Sequence, residues 1–501
     1  MTFTTIRFCL FFVAVFVIYT VCKQKYRKYV LLLANILFYL SLDVKMFSLA
    51  MFTAIAVFYV GIKVETNRRS NKAVAKKYFV TAVVVLLLVL FLAKYLNFFT
   101  ETIEMVLEAF GITSSLPVFE VLAWLGLSYY SLKAISYLAD VYTGKISCER
   151  DVIIFMNYLL FFPQIVAGPI GRASGMLPQL RKGETVSKEE AAKSIQQIVN
   201  GYFKKLVIAN MVTGYVTTVY ADVTKASGLT CLLAAFLYSM EIYCDFSGYS
   251  DISIGVSRLL GVSVPENFNC PYMAKSIKEF WRRWHISLSS FLTEYVYIPL
   301  GGSRRGDKKK VKNTLVTFLV SGLWHGASWT FVFWGLYHGV CNCFCKRVKK
   351  GTGQEKDTEN VTYMQERNLF KTAVTFLLVT VGWIFFRADS FSDAFCVLKN
   401  IACHTSISVV AIQETLLVFT GDMMSLAYGL MSMIMIGLLL IREYRYTYGD
   451  LSEGVAKKKR QGELMLRSKR QREQQIWLIF AVFAIICMGN FGTQGFIYAN
   501  F

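Results

Sequence analysis

Apolar runs long enough to approach the thickness of a lipid bilayer recur along this chain and constrain its fold more than any other feature. A helix needs roughly 20 predominantly apolar residues to cross the hydrocarbon core, and residues 3–21, 78–99, 423–441 and 476–488 are the clearest runs. Charged residues make up 17% of the 501, below the roughly one quarter of ordinary soluble domains. The chain therefore reads as an all-α polytopic membrane protein. The run that begins beside Met1 has only Arg7 as a basic flank and no small-residue cleavage site, so it reads as a retained first span. Seven prolines argue against long disordered linkers. The 12 cysteines are scattered without a CxxC pair, which argues against a disulfide framework. Cys341, Cys343 and Cys345, beside Lys346 and Arg347, read as free structural thiols in preference to palmitoylation sites.

The formal charge of +21 is concentrated between the apolar runs, at residues 23–28, 63–77, 304–312, 346–350 and 442–472. That placement is the positive-inside pattern, reinforced by attraction to membrane lipids with anionic headgroups, and it argues against nucleic acid as a partner. It puts both termini outside. Residues 29–42 and 46–62 form an out-and-back pair, 78–99 leads out to Glu101, Glu104 and Glu108, and 117–142 returns. Residues 151–168, ending in Phe162-Pro163-Gln164 and Gly168-Pro169, fit a re-entrant hairpin. Residues 175–205 read as one cytosolic amphipathic helix. Further spans are expected at 202–220, 229–243, 313–325, 329–345, 370–386, about 395–417, 423–441 and 476–488. The total is about eleven, and no inverted repeat of the transporter kind is evident.

Only four histidines occur, His285, His325, His338 and His404. Ionisable groups at membrane depth are costly, so those in apolar surroundings are functional candidates. His325 follows Ser321-Gly322-Leu323-Trp324 and precedes Gly326; the glycine spacing favours close helix approach and a packed interior position for the ring. A neutral imidazole there accepts a proton from an attacking hydroxyl or thiol. On spacing alone, a core histidine that glues two helices explains the pattern equally well. His338, thirteen positions on, falls near the opposite face of a continuous helix, so no two-histidine metal site is expected, and no other spacing suggests a metal. On a helix, Trp281, Trp284 and His285 share one face and Glu279 pairs with Arg283. Arg282 and Arg283 suit a phosphate-bearing donor, although an interfacial helix with snorkelling basic residues is the simpler reading. The polar stretch 243–251, with an Asp251–Arg258 pair, reads as structural. So does the glycine-rich turn at 295–306, which lacks a phosphate-loop pattern.

Taken in order, residues 162–170, 243–255, 279–287, 295–302 and 321–339 resemble the membrane-bound O-acyltransferase family, in the branch of the alginate O-acetyltransferase membrane subunit (AlgI-like). The likeness runs from about residue 153 to 387. Residues 495–498 are similar to the branch's C-terminus, 499–501 depart from it, and the N-terminal third matches mainly by hydropathy. The resemblance implies one membrane-embedded domain, with N-terminal helices in 1–150, a catalytic core in 151–390 and C-terminal helices in 391–501. It implies a helical ring around a central tunnel in the bacterial cell membrane, lined by Trp281, Trp284, Ser287, Tyr295, Ser321 and Trp324. It makes His325 the catalytic base and His285 a second catalytic histidine. The reaction it implies moves acetyl from acetyl-CoA or a similar thioester, a substrate and not a bound cofactor, towards an extracellular polysaccharide. An extracytoplasmic esterase-like (SGNH) acetyltransferase would be the partner. The D-alanylation branch (DltB-like), fed by a carrier-protein thioester, is the alternative; a transporter in which His325 only packs is a more distant one.

Overall fold

Short polar residues at the edges of the apolar runs start most of the helices. In the computed structural model, residues 1–113, 116, 126–165, 168–344, 368–418, 423–453 and 460–491 are described. The 495–498 motif, Cys345, the basic run at 346–350 and the start of the span expected at 117–142 lie outside them. Helix α1 (Ile6–Val21) begins after Thr5, whose hydroxyl accepts the Phe8 N–H. A single residue, Asp43, separates α2 (Arg27–Leu42) from α3 (Val44–Ser70), and its carboxylate accepts the Met46 N–H at 2.9 Å. Asn71 opens α4 (Lys72–Lys94), which breaks at Tyr95 before α5 (Leu96–Ala109). These oxygens satisfy N–H groups that the first turn of a helix leaves without partners.

Next come α6 (Leu127–Thr143) and α7 (Val152–Leu159), then a single 3-10 turn at Phe162–Gln164. Buried amides hold this irregular segment in place. Asn35 Nδ2 donates to Asn157 Oδ1 at 3.0 Å and Asn35 Oδ1 accepts the Phe162 N–H at 2.9 Å. Lys133 donates to Gln164 Oε1 at 2.9 Å, and Gln164 Nε2 donates to the Pro169 carbonyl at 2.6 Å. Non-helical backbone away from water requires such partners, and the expected re-entrant piece has them.

The stretch read as one amphipathic helix is two. α8 (Ala173–Lys182) stops at Gly183, which takes a left-handed conformation (φ 57°), and α9 (Lys188–Tyr202) restarts on a Ser187–Glu190 capping box. A π-helical stretch, Phe203–Ala209, leads into α10 (Asn210–Ala221). Helix α11 (Gly228–Leu259) absorbs the polar residues 243–251 into one continuous, largely buried rod. It packs against α9, α10, α16 (Leu369–Arg387) and α17 (Phe391–Cys403). Asp251 is held by Lys204 at 2.9 Å, not by Arg258 as its spacing suggested, and Lys205 reaches Asp245 at 2.5 Å deep in the interior.

Helices α12 (Ile277–Arg283) and α13 (Ile286–Leu292) are separate, and a π-helical turn at Thr293–Tyr297 follows. The chain then makes a hairpin of α14 (Asp307–His325) and α15 (Trp329–Phe344). The span expected at about 395–417 divides between α17 and α18 (Val409–Leu417), because His404–Ser408 leaves the helix and Ser408 caps the next one. Helices α19 (Met423–Glu453) and α20 (Arg460–Met488) complete the described part, which contains no strand. Among the described residues, α3, α4, α11 and α16 are long and apolar enough to cross a bilayer.

The α14–α15 hairpin closes by backbone contact. A Cβ on Gly322 would lie 2.3 Å from the Phe331 carbonyl oxygen and 3.2 Å from the Gly335 Cα; one on Gly335 would lie 2.4 Å from the Phe318 oxygen. No side chain fits there without separating the helices. Gly335→Val is therefore expected to lower the unfolding temperature of the detergent-solubilised protein, at a cost of about 1–3 kcal/mol or more. Gly175→Ala, on helix α8 with nothing within 4 Å of the added carbon, is expected to leave that temperature unchanged or raise it.

Candidate active site

The hairpin ends on the residue that the sequence singled out. His325 is the last residue of α14, and its ring is buried. Around it stand Trp324 (ring centroids 5.0 Å apart), Trp334 (5.0 Å) and Phe386 (5.4 Å). The terminal carbonyls of α14 are capped from another helix. Lys94 Nζ donates to the carbonyl oxygens of both Trp324 and His325 at 2.8 Å, and the Tyr95 hydroxyl donates to Leu323 O. A cation at a helix C-terminus also complements the helix dipole. Lys94 was passed over in the sequence, although a lone charge inside the apolar run 78–99 is a signal of its own.

The second histidine arrives by an unexpected route. Trp281, Trp284 and His285 do not share a helix face, because α12 stops at Arg283. Trp284 is extended and His285 is left-handed (φ 43°, ψ 53°). A kink held by tertiary contacts overrides the helical spacing. The Ile286 N–H donates to Asn267 O at 2.9 Å, and the Asn269 N–H donates to Arg283 O at 3.0 Å. The turn carries His285 to 6.4 Å from His325, centroid to centroid, with Trp324 5.8 Å away and Phe246 edge-on at 4.7 Å. Asn267 Oδ1 lies 3.0 Å from His285 Nδ1 and accepts the Ser287 hydroxyl at 2.8 Å.

Trp284 is instead packed against Phe280 and Trp383. Trp281 packs on Trp334 and His338. His338 lies on α15, not on a continuation of α14, and Trp334 stands edge-on between it and His325, 5.1 Å from its ring. Both His325 and His338 thus pack against one indole. Ser321 is buried on α14, one turn before His325. Tyr295 belongs to a different cluster: its hydroxyl donates to Asp140 Oδ1 at 2.8 Å, and Arg172 lies 4.7 Å above its ring. Arg283 is engaged with Glu279 at 2.7 Å, as its spacing implied, and Arg282 is exposed.

A polar cavity of about 540 Å³ opens beside this centre on the face that carries α9. Its walls carry four basic side chains, Lys193, Lys204, Arg258 and Arg442, and three carboxylates, Asp251, Glu266 and Glu443, and Asn267 and Cys270 also line it. Neither Arg282 nor Arg283 contributes. Asn267 therefore borders the cavity and also touches His285. The cavity meets the histidine centre at Asn267, and neither His285 nor His325 is among the described residues that line it. An imidazole pair in a water-poor site is suited to moving a proton.

Residues 146–386, which include every residue of the histidine centre except Lys94 and Tyr95, match the model of the MBOAT, membrane-bound O-acyltransferase family. The protein named "Probable alginate O-acetylase AlgI" in Pseudomonas putida is 34% identical over 393 residues, covering 78% of each chain. The chain belongs to the membrane-bound O-acyltransferase family. It is an acyltransferase, and its closeness to the alginate O-acetylase branch bears out the resemblance read from its motifs. Helicobacter pylori "Peptidoglycan O-acetyltransferase" is 29% identical over 425 residues, covering 79% of this chain and 78% of the relative. Bacillus subtilis "Teichoic acid D-alanyltransferase" is 32% identical over 236 residues, covering 45% of this chain and 59% of the relative.

The α14 cap gives a direct check on the site's architecture. Lys94→Met removes a donor to two buried carbonyl groups, at a cost of about 1–3 kcal/mol. The expected result is a lower unfolding temperature in detergent, with Lys94→Arg closer to the unsubstituted protein.

Proposed function

We propose that this protein moves an acetyl group from a cytosolic thioester, acetyl-CoA, across the cell membrane for O-acetylation of an extracellular polysaccharide. The observation that carries the reading is the pair of buried imidazoles of His285 and His325, 6.4 Å apart and beside a polar cavity whose wall carries four basic side chains. The positive-inside rule makes the face with α9 cytosolic and both termini external, and the family resemblance implies a ring of about eleven spans around a passage. In this arrangement residues 1–150 and 391–501 flank a core at 151–390.

Lys193, Arg258 and Arg442 would hold the donor's phosphates, the role first given to Arg282 and Arg283, while Lys204 offsets Asp251 in the same wall. The thioester would then reach the space near His285 and His325, bounded by Trp324, Trp334 and Ser321. An acceptor hydroxyl attacks the thioester carbonyl carbon, and His325 takes its proton. The new C–O bond forms as the C–S bond breaks, and the proton passes to the departing thiolate. The thioester supplies its own leaving group, so the protein's share is alignment and proton transfer. The acyl group changes sides while the bulky donor stays in the cytosol. An esterase-like acetyltransferase outside the membrane would pass it to the polymer. The H. pylori and P. putida relatives are both named for O-acetyl transfer or acetylase activity, which supports acetyl as the cargo. The D-alanyltransferase likeness covers less of the chain and keeps a carrier-protein donor as the second reading.

Purified protein in vesicles, offered acetyl-CoA in one arm and a D-alanyl carrier protein in the other, separates the two. Acetyl-CoA consumption dependent on an acceptor hydroxyl is expected; turnover of the D-alanyl donor alone would reject the acetyl reading. His325→Ala is expected to abolish transfer while the protein still inserts and purifies; unchanged polymer acetylation in cells would refute the catalytic role. His285→Ala is expected to cause a partial to severe loss. Replacing both Lys193 and Arg258 with Glu is expected to raise the KM for acetyl-CoA about tenfold or more with little change in kcat, because charge-assisted contacts to phosphate contribute roughly 1.5–3 kcal/mol each.

A further inference from the structure

We infer that Asn267 is a positioning residue that fixes the tautomer of His285, so that Nδ1 carries the proton and Nε2 keeps a bare lone pair. The inference rests on the proposed proton-transfer role of the His285–His325 pair for its consequence, but not for its geometry. Three groups converge on one atom, Asn267 Oδ1: His285 Nδ1 at 3.0 Å, the Ser287 hydroxyl at 2.8 Å and the Ser287 backbone N–H at 3.3 Å. A backbone N–H only donates, so this atom must be an acceptor, which makes it the amide oxygen and not the NH2 group. The other end of the amide agrees, since Nδ2 donates to Ser250 Oγ at 3.1 Å. Facing an oxygen that has no proton to give, a neutral His285 must donate from Nδ1.

Its Nε2 is then unprotonated. That atom is buried and has no hydrogen-bond partner among the described residues. A lone pair withheld from water and from the protein is a costly feature to leave in place. The backbone points the same way. His285 is one of two non-glycine residues with positive φ among the described residues, a conformation that costs an L-residue roughly 1–2 kcal/mol. The segment 267–269 clamps it there through the Asn267 carbonyl and the Asn269 N–H. Strain of this kind persists where the surroundings over-determine it. Without the left-handed turn α12 would run on through His285, and the ring would leave its place beside His325. Asn267 thus uses its backbone carbonyl to hold the turn and its side chain to choose the ring nitrogen that is free to accept. It also lines the basic cavity, which places this control at the border of the proposed donor site.

The test reads the tautomer directly. Protein labelled with nitrogen-15 histidine and reconstituted in lipid nanodiscs carries only four imidazoles, and the His285→Gln variant identifies the resonances of His285. A protonated Nδ1 and an unprotonated Nε2 are expected in the unsubstituted protein, and the reverse assignment overturns the inference. In Asn267→Ala the Nε2–H form, which neutral histidine favours in water, should appear; an unchanged spectrum also overturns the inference. Asn267→Asp keeps an acceptor for Nδ1 and should keep the tautomer. With the proton-transfer role in force, Asn267→Ala should lower kcat about ten- to a hundredfold at little-changed KM, with Asn267→Asp retaining more activity. A tautomer that shifts in Asn267→Ala without any loss of kcat would support the positioning and reject the catalytic use of His285. Should Asn267→Ala fail to fold, the unsubstituted protein and Asn267→Asp still decide.

Discussion

The contact between two helix backbones at Gly322 and Gly335 sets the position of His325, on which the rest of the centre converges. With the α14 and α15 backbones touching, His325 at the end of one helix is held against Trp334 on the other. The same closeness lets Phe331 and Phe386 close the space beside the imidazole. A hairpin this tight leaves the last carbonyls of α14 facing the interior, and Lys94 and Tyr95 answer them from α4 and the break that follows it. Packing, capping and the orientation of one ring are thereby tied together, as expected where polar backbone has no water to turn to.

The second imidazole is placed by the opposite means. His325 sits at a regular helix end, whereas His285 depends on an irregular turn that hydrogen bonds from a neighbouring loop maintain. The contrast suits a site between a rigid wall and an opening. The α14–α15 wall needs only close-packed helices, while the α12–α13 turn is held by a loop, Asn267–Asn269, that borders the polar cavity, and trades helical regularity for aim. Trp334 divides the interior further. It stands edge-on to His325 and to His338, so the third buried histidine belongs with Trp281 and Trp383 and not with the pair.

Much of this was legible in the sequence. The apolar runs gave the helical membrane class, the ordered motifs gave the family, and the glycines around His325 gave its packed position, since these signals are periodic or local. The His285 turn was not legible. Trp281, Trp284 and His285 have faultless helical spacing, and only distant backbone partners at Asn267 and Asn269 break the helix. Asn267 carries no signal of its own in a stretch of ordinary polar residues. The cavity was not legible for a related reason: Arg282 and Arg283 are adjacent in sequence, but Lys193, Lys204, Arg258 and Arg442 are gathered from four separate places by α9, the π-helical stretch, α11 and α19. Long-range assembly of this kind leaves no local pattern.

The most direct trial of the central claim is an electron cryo-microscopy map of the protein in nanodiscs with a non-reactive thioether analogue of acetyl-CoA. The expected map shows the nucleotide phosphates on the basic wall and the acetyl carbonyl beside His325, close enough that a hydroxyl poised for attack, about 3–3.5 Å from that carbon, would also touch the imidazole. An analogue lodged elsewhere, with the His285 and His325 rings sealed from it by close-packed side chains, would contradict the account.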